Sequence, residues 1–321
     1  MDLHFLIDNL TNPALLFFVL GLFAVYCKSD LQIPPNSSKF ISLYLLFSIG
    51  FKGGQELSHS TFTSEIWWSI GLGLILACIV PIYTFYILKY KLSIENAGAI
   101  AASYGSVSAV TFVTTISFLE MEGIPFGGHM VAVMALMEAP AIIVGMMVIK
   151  IFQKRSGDEN KISISTVIKH AMTNGSVLLL LGSLAIGFIA NEQQAQGIKP
   201  FTTDLFKGFL SVFLLDMGII SGRKIGSLLK QGWFALSFAI IIPIINGVFT
   251  AWVSGFFLQE PGNRLLIAIL AASASYIAVP AAIKLTVPKA NPGLYIPMAL
   301  AITFPFNITL GIPLYHMIIS L

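Results

Sequence analysis

The sequence predicts an all-α polytopic membrane protein: about ten transmembrane helices forming two inverted five-helix repeats, with interruptions in the fourth and ninth helices. Three observations carry this prediction. Asp, Glu, Lys and Arg make up only 10% of 321 residues, against roughly a quarter in an ordinary soluble domain. The hydrophobic fraction is 56% and mean hydropathy is +0.86. Apolar runs long enough to cross a hydrocarbon core of about 30 Å recur along the whole chain. A lipid bilayer is therefore the expected surrounding, and the composition excludes a soluble enzyme, a disordered chain and a nucleic-acid binder. A net charge of +3 is too small to imply a polyanionic partner.

A window of about 20 residues places the spans, in order, at Pro13–Cys27, Phe40–Gln55, Ile66–Leu88, Ala97–Leu119, Pro125–Phe152, Thr166–Ala190, Leu205–Gly222, Trp233–Leu258, Leu265–Val287 and Gly293–Ser320. The first is short. A polar connector runs from Gln153 to Ser165, which divides the chain into a first repeat (1–153), a connector (154–165) and a second repeat (166–321). Met1–Asp8 has no basic region, so no cleavable signal peptide is expected.

Continuous spans put alternate loops on opposite faces. One face collects Lys28, Lys39, Lys89, Lys91, Lys150, Lys154, Arg155, Lys161, Lys169, Arg223, Lys224, Lys230, Lys284 and Lys289; the other has Lys52, Lys199, Lys207 and Arg264, a split of 14 to 4. By the positive-inside rule the first face is cytoplasmic. The protein is then expected in the bacterial inner membrane with both termini outside the cytoplasm.

The two halves echo each other in the same order. Thr11-Asn12-Pro13 matches Thr173-Asn174-Gly175, Gly50 and Gly54 match Gly218 and Gly222, and Ser106-Val107-Ser108 matches Ser273-Ala274-Ser275. Pro125 matches Pro292, and Met134 with Pro140 matches Met298 with Pro305, all at offsets between 162 and 168. Five spans is an odd number, so the second copy enters the membrane with opposite polarity. That is the inverted repeat of secondary transporters, whose substrate site lies near the midplane.

Spans four and nine carry small polar clusters at their centres, Ser103-Tyr104-Gly105-Ser106-Val107-Ser108 and Ser273-Ala274-Ser275-Tyr276. Pro280 predicts a break just before it, and Gly105 permits one in span four. Broken backbone at membrane depth requires protein or a water-filled cavity to satisfy its polar groups. Helix N-termini favour a small oxyanion, and hydroxyls with exposed carbonyls can coordinate Na⁺. The competing reading of Ser, Gly and Ala here is close helix packing.

Intramembrane charges are costly and usually functional. Glu138 falls near the middle of span five and can be a cation ligand, a proton carrier or a neutral acid bonded into the bundle. Asp216 lies in span seven. Lys52 sits near the outer end of span two, where snorkelling or an ion pair accounts for it. Asn307 reads as polar glue between helices. Gly53-Gly54 and Gly127-Gly128 mark close helix contacts or helix ends. Cys27 and Cys78 form no CxxC and read as packing residues. The five histidines are scattered without a metal-binding spacing, and no Walker A sequence is present to power transport with ATP. A carrier of another small carboxylate coupled to Na⁺ or H⁺, and a non-transporting membrane sensor or channel, are the competing functional readings.

In the same order along nearly the whole chain, the words Ile49-Gly-Phe-Lys-Gly-Gly54, Gly105-Ser-Val-Ser-Ala-Val-Thr111, Gly123-Ile-Pro125, Leu136-Met-Glu-Ala-Pro-Ala141, Leu215-Asp-Met-Gly218, Ala271-Ala-Ser-Ala-Ser275 and Ala290-Asn-Pro292 resemble the sodium-dependent bicarbonate transporters of cyanobacteria and other bacteria. The resemblance implies crossing of the interrupted helices four and nine, a core and a gate domain, elevator-like alternating access and a homotrimer. It implies no cofactor beyond Na⁺ as coupling ion. The matching anion-binding positions are Gly105, Ser106, Val107, Ser108, Ser273, Ala274, Ser275 and Tyr276; the matching Na⁺ positions are Ser103, Ser108, Thr111 and Ser275. It also implies a cytoplasmic PII-like regulator as a partner, although the connector here is shorter than in the cyanobacterial members. Tyr276 stands where the cyanobacterial pattern has an aspartate, and Ala109-Val110 where it has Gly-Ser.

Overall fold

A computed structural model describes residues 11–59, 63–155, 175–229 and 232–321, and all regular structure among them is helical. The helices are α1 (Pro13–Tyr26), α2 (Pro35–His59), α3 (Ser64–Leu88), α4 (Ile94–Gly105), α5 (Ala109–Glu122), α6 (His129–Arg155), α7 (Gly175–Ile189), α8 (Glu192–Lys199), α9 (Phe206–Leu229), α10 (Trp233–Ser254), α11 (Pro261–Ala272), α12 (Ala278–Thr286) and α13 (Pro292–Ile319). Met1–Asp8, the connector beyond Arg155 and the start of the sixth span lie outside the described residues.

Starts and stops follow the local sequence. Pro13 occupies the first turn of α1 and the Asn12 side chain accepts from the Ala14 N–H at 3.0 Å, the arrangement that satisfies an otherwise orphaned donor. Ser93 caps α4 by accepting from Asn96 N–H at 3.3 Å. Gly123 ends α5 at φ 64°, a left-handed cap that glycine adopts without a Cβ penalty. The ring at Pro280 falls in the first turn of α12 rather than at the break itself, where its missing N–H costs little.

Among the described residues, six stretches are long and apolar enough to cross a bilayer: Ser64–Leu88, Ile94–Glu122, His129–Gln153, Glu192–Gly226, Trp233–Ser254 and Pro292–Ile319. Pro13–Tyr26, Gly175–Ile189 and Pro261–Ala272 are shorter apolar helices. Helix α2 has 25 residues but is diluted by Asn36, Lys39, Lys52, Gln55 and Glu56. The segment 191–204, which falls between the sixth and seventh expected spans, forms α8 and a π-helical turn at Pro200–Asp204. An Asn191/Gln194 capping box starts α8, a local signature the apolar window ignores. Cys27 is also corrected: it is exposed at the C-terminal cap of α1 rather than packed. Large apolar side chains such as Trp67, Trp68, Trp233 and Trp252 are exposed near helix ends, the level at which tryptophan favours the membrane interface.

The packing falls into two sets of neighbours. In one, α1 runs along α9 and α2 along α7. In the other, α3 packs on α4 and α6, α4 on α6, α10 on α11 and both α10 and α11 on α13. Glycines set the first pair of crossings: a Cβ at Gly21 would collide with the Leu215 carbonyl, and one at Gly218 with the Phe18 carbonyl. Gly54 and Gly187 do the same for α2 and α7, against the Leu184 and Phe51 carbonyls. Small residues let backbones approach where lipid supplies no hydrophobic push between helices.

Candidate functional site

The two polar clusters are breaks between successive helices. Helix α4 ends at Gly105 and α5 begins at Ala109; α11 ends at Ala272 and α12 begins at Ala278. Ser106, Ser108 and Ser273 are extended between them. The broken stretches are enclosed: Ser103, Ser106, Ser108, Thr111, Ser273 and Ser275 are all buried. Broken backbone is thus kept away from acyl chains, as the absence of water there demands.

Each break is completed by the other. Ser275 N–H donates to the Ser103 carbonyl at 2.8 Å, and Ser108 N–H donates to Ser273 Oγ at 2.9 Å. Ser273 Oγ passes its own hydrogen to the Leu270 carbonyl at 3.0 Å, so its only hydrogen is spent on bracing. Gly105 is a packing residue, because a Cβ there would run into the Pro81 ring of α3. The carbonyls freed at the end of α11 are capped by two amides, Asn246 to Ala271 at 3.1 Å and Asn307 to Ala272 at 2.9 Å. Tyr83 donates to the Asn246 carbonyl oxygen, and Tyr315 to that of Asn307 at 3.3 Å. Asn246 and Tyr83 were not singled out from sequence; an amide in the middle of the apolar span eight is the signal that marks the first, and nothing marks the second.

Between the N-termini of α5 and α12 lies a cavity of about 40 Å³. Val107, Ser108, Ala109, Val110, Ser275, Tyr276 and Ala278 line it, with Glu138 from α6. Gly105, Ser106, Ser273 and Ala274 do not. The first N–H groups of a helix have no intrahelical acceptor, and Ala109, Val110 and Ala278 hold such positions at the cavity wall. Ser108 Oγ accepts from Thr111 N–H at 3.2 Å and from Thr111 Oγ1 at 2.9 Å, leaving its own hydrogen for the Tyr276 hydroxyl or an anion. Ser275 Oγ accepts from Val279 N–H at 3.3 Å and likewise keeps a hydrogen. Hence the polar chemistry offered is N–H and O–H donation toward one small space otherwise walled by apolar side chains such as Leu45, Leu46, Val113, Met134 and Leu180, with no Lys or Arg in the lining among the described residues.

Like Ser48 Oγ and Thr250 Oγ1 elsewhere, Ser103 Oγ and Ser106 Oγ, beside the break after α4, are buried without a hydrogen-bond partner among the described residues. Leaving a buried polar atom unpaired costs about 1–3 kcal/mol, which makes these oxygens available to a cation. Of the four expected Na⁺ positions, the structure joins Ser108 to Thr111 by hydrogen bonds and Ser275 to Ser103 through backbone. No group of three or more His, Cys, Asp or Glu side chains that could hold a metal occurs among the described residues.

A second cavity, about 500 Å³, adjoins the first. Ser42, Ser176, Tyr276 and Ile277 line both. The larger one also carries Ser38, Lys39, Asp216 and Arg223, and Ser38 donates to the Asp216 carboxylate. Asp216 therefore sits in an antechamber rather than at the crossing. Lys52 pairs with Glu120 at 2.6 Å, tying α2 to α5.

No curated protein matches the chain significantly. A family model for the Na⁺-dependent bicarbonate transporter superfamily matches residues 13–320, nearly the whole length. Two broken helices that hydrogen-bond to each other beside a small cavity agree with this match, and the chain belongs to the Na⁺-dependent bicarbonate transporter superfamily, a family of transporters and not of enzymes.

Proposed function

We propose that the protein is a secondary active transporter that imports hydrogencarbonate together with Na⁺. The observation that carries this reading is the small cavity beside the N-termini of α5 and α12, where the Ser108 and Ser275 hydroxyls share the lining with apolar side chains such as Leu45, Val113 and Leu180, and with no basic side chain among the described residues. Helix N-termini and hydroxyls suit a monovalent oxyanion. Size supports the same class: a water needs about 10–15 Å³ of such space, so 40 Å³ takes an ion of a few heavy atoms and not a bulky carboxylate.

Na⁺ is assigned to oxygens at the two breaks, Ser103 and Ser106 with their unpartnered hydroxyls, together with Thr111 and Ser275, whereas Ser108 Oγ already accepts twice from Thr111. Tyr276 offers a phenol rather than a carboxylate at its position, so the coordinating oxygens are neutral. Neutral oxygen ligands suit a weakly held monovalent ion that must be released each cycle.

For the transport cycle, the glycine-locked set α1, α2, α7 and α9 serves as the gate, and α3–α6 with α10–α13 as the core that carries the crossing, in an elevator-type movement. The ten-span inverted repeat accounts for two matching breaks at an offset of 167 residues between Ser106 and Ser273. With the lysine-rich face in the cytoplasm, the 500 Å³ antechamber beside Lys39 and Arg223 opens inward. Uptake of labelled hydrogencarbonate into proteoliposomes, with Na⁺ or K⁺ gradients, tests the reading: uptake that ignores Na⁺ rejects symport.

A further inference from the structure

Glu138 is the one carboxylate on the lining of the inner cavity, where it faces the wall formed by Ser108, Ala109, Ser275 and Ala278. It has no ion-pair partner among the described residues, whose ion pairs are Lys52–Glu120 and His59–Glu192. It arises from the middle of α6, with Pro140 two residues on. A carboxylate is an acceptor only, whereas the Ser108 and Ser275 hydroxyls on the same lining each keep a hydrogen to donate. An oxyanion made of acceptor atoms alone would be held by the donors and repelled by Glu138 at the same time. An oxyanion that keeps one O–H presents both faces: bare oxygens to the α5 and α12 N–H groups, and a hydrogen to the carboxylate.

We propose that Glu138 is a specificity-determining residue that accepts the hydroxyl hydrogen of the transported anion, and so selects hydrogencarbonate over like-sized oxyanions that lack an O–H. This rests on the transport reading above and adds to it the reason one small oxyanion is taken and another refused. A site built to pair with a substrate hydroxyl rejects an analogue lacking it far more strongly than a site that only matches shape.

The experiment compares nitrate with unlabelled hydrogencarbonate as inhibitors of labelled hydrogencarbonate uptake, at one pH, for the full-length protein and its Glu138→Gln variant in proteoliposomes. Gln keeps the size, removes the charge and adds a donor. The proposal expects nitrate to inhibit the unaltered protein at least tenfold more weakly than hydrogencarbonate, and that gap to shrink about tenfold or more in Glu138→Gln. An unchanged ratio overturns it. Should Glu138→Gln fail to fold, the unaltered protein still decides: nitrate inhibiting as well as hydrogencarbonate overturns the proposal. If the unaltered protein takes up no hydrogencarbonate, the transport reading falls and this one with it; uptake with an unaltered nitrate ratio removes only the role of Glu138.

Discussion

The Ser108 N–H donates to Ser273 Oγ across 2.9 Å, joining residues 165 positions apart at the point where two helices break. Together with the Ser275 N–H on the Ser103 carbonyl, it makes each interruption the hydrogen-bond partner of the other. Two breaks that would be untenable singly in lipid are stable as a pair.

Ser273→Ala strands the Ser108 N–H and is expected to cost about 1–3 kcal/mol, read as a lower Tm in detergent. Ser108→Ala removes the α5 cap, about 1 kcal/mol, and a donor facing the cavity. A hydrogen bond to a charged partner contributes about 1.5–3 kcal/mol, so KM for hydrogencarbonate rises tenfold or more. The two variants should separate, with stability falling more in the first and affinity more in the second.

Gly105→Ala places a Cβ into the Pro81 ring, and overpacking of this kind costs roughly 1–3 kcal/mol. Gly182→Ala, with nothing near its added carbon, should leave Tm unchanged within about a degree. Pro81→Ala combined with Gly105→Ala is expected to recover part of the loss. A double-mutant cycle on Tm gives the coupling between the two sites; strict additivity would remove Gly105 from its packing role.

Asn307→Ala uncaps the Ala272 carbonyl at the end of α11 and frees the Tyr315 hydroxyl from one partner. Asn246→Ala does likewise for Ala271 and Tyr83. Each is expected to lower stability by about 1–3 kcal/mol. Asn307→Asp, which keeps the acceptor but loses the amide donor, should fare no better, and thermal unfolding of the three variants checks this.

The Lys52–Glu120 pair is about a quarter exposed on each side chain, and such pairs contribute about 1 kcal/mol or less. Lys52→Met and Glu120→Gln should therefore barely move Tm. Because the pair links α2 of the gate to α5 of the core, both are expected to change the uptake rate instead, and the charge-swapped double variant to restore it. Initial rates at saturating substrate measure the effect.

Much of this was legible in the chain. Spans such as Trp233–Ser254 are so uniformly apolar that length alone places them, and two serine clusters at one offset mark the breaks. Which serines face the cavity was not legible. Ser108 and Ser273 look alike in sequence, yet one keeps a hydrogen for the cavity while the other gives its hydrogen to the Leu270 carbonyl. That distinction depends on contacts across more than 160 residues. Gly105 was similarly opaque, since its reason is the Pro81 ring on another helix. Helix α8 escaped because its start lies in a polar capping box, a pattern of period and chemistry different from the apolar window.

The most direct test of the crossing as the anion site is alkylation of a Ser275→Cys variant, with Cys27 and Cys78 replaced by serine. Labelling rates are measured in Na⁺ with hydrogencarbonate or with chloride. Hydrogencarbonate is expected to slow labelling about tenfold, with chloride having no effect; equal rates in the two salts would contradict binding between α5 and α12.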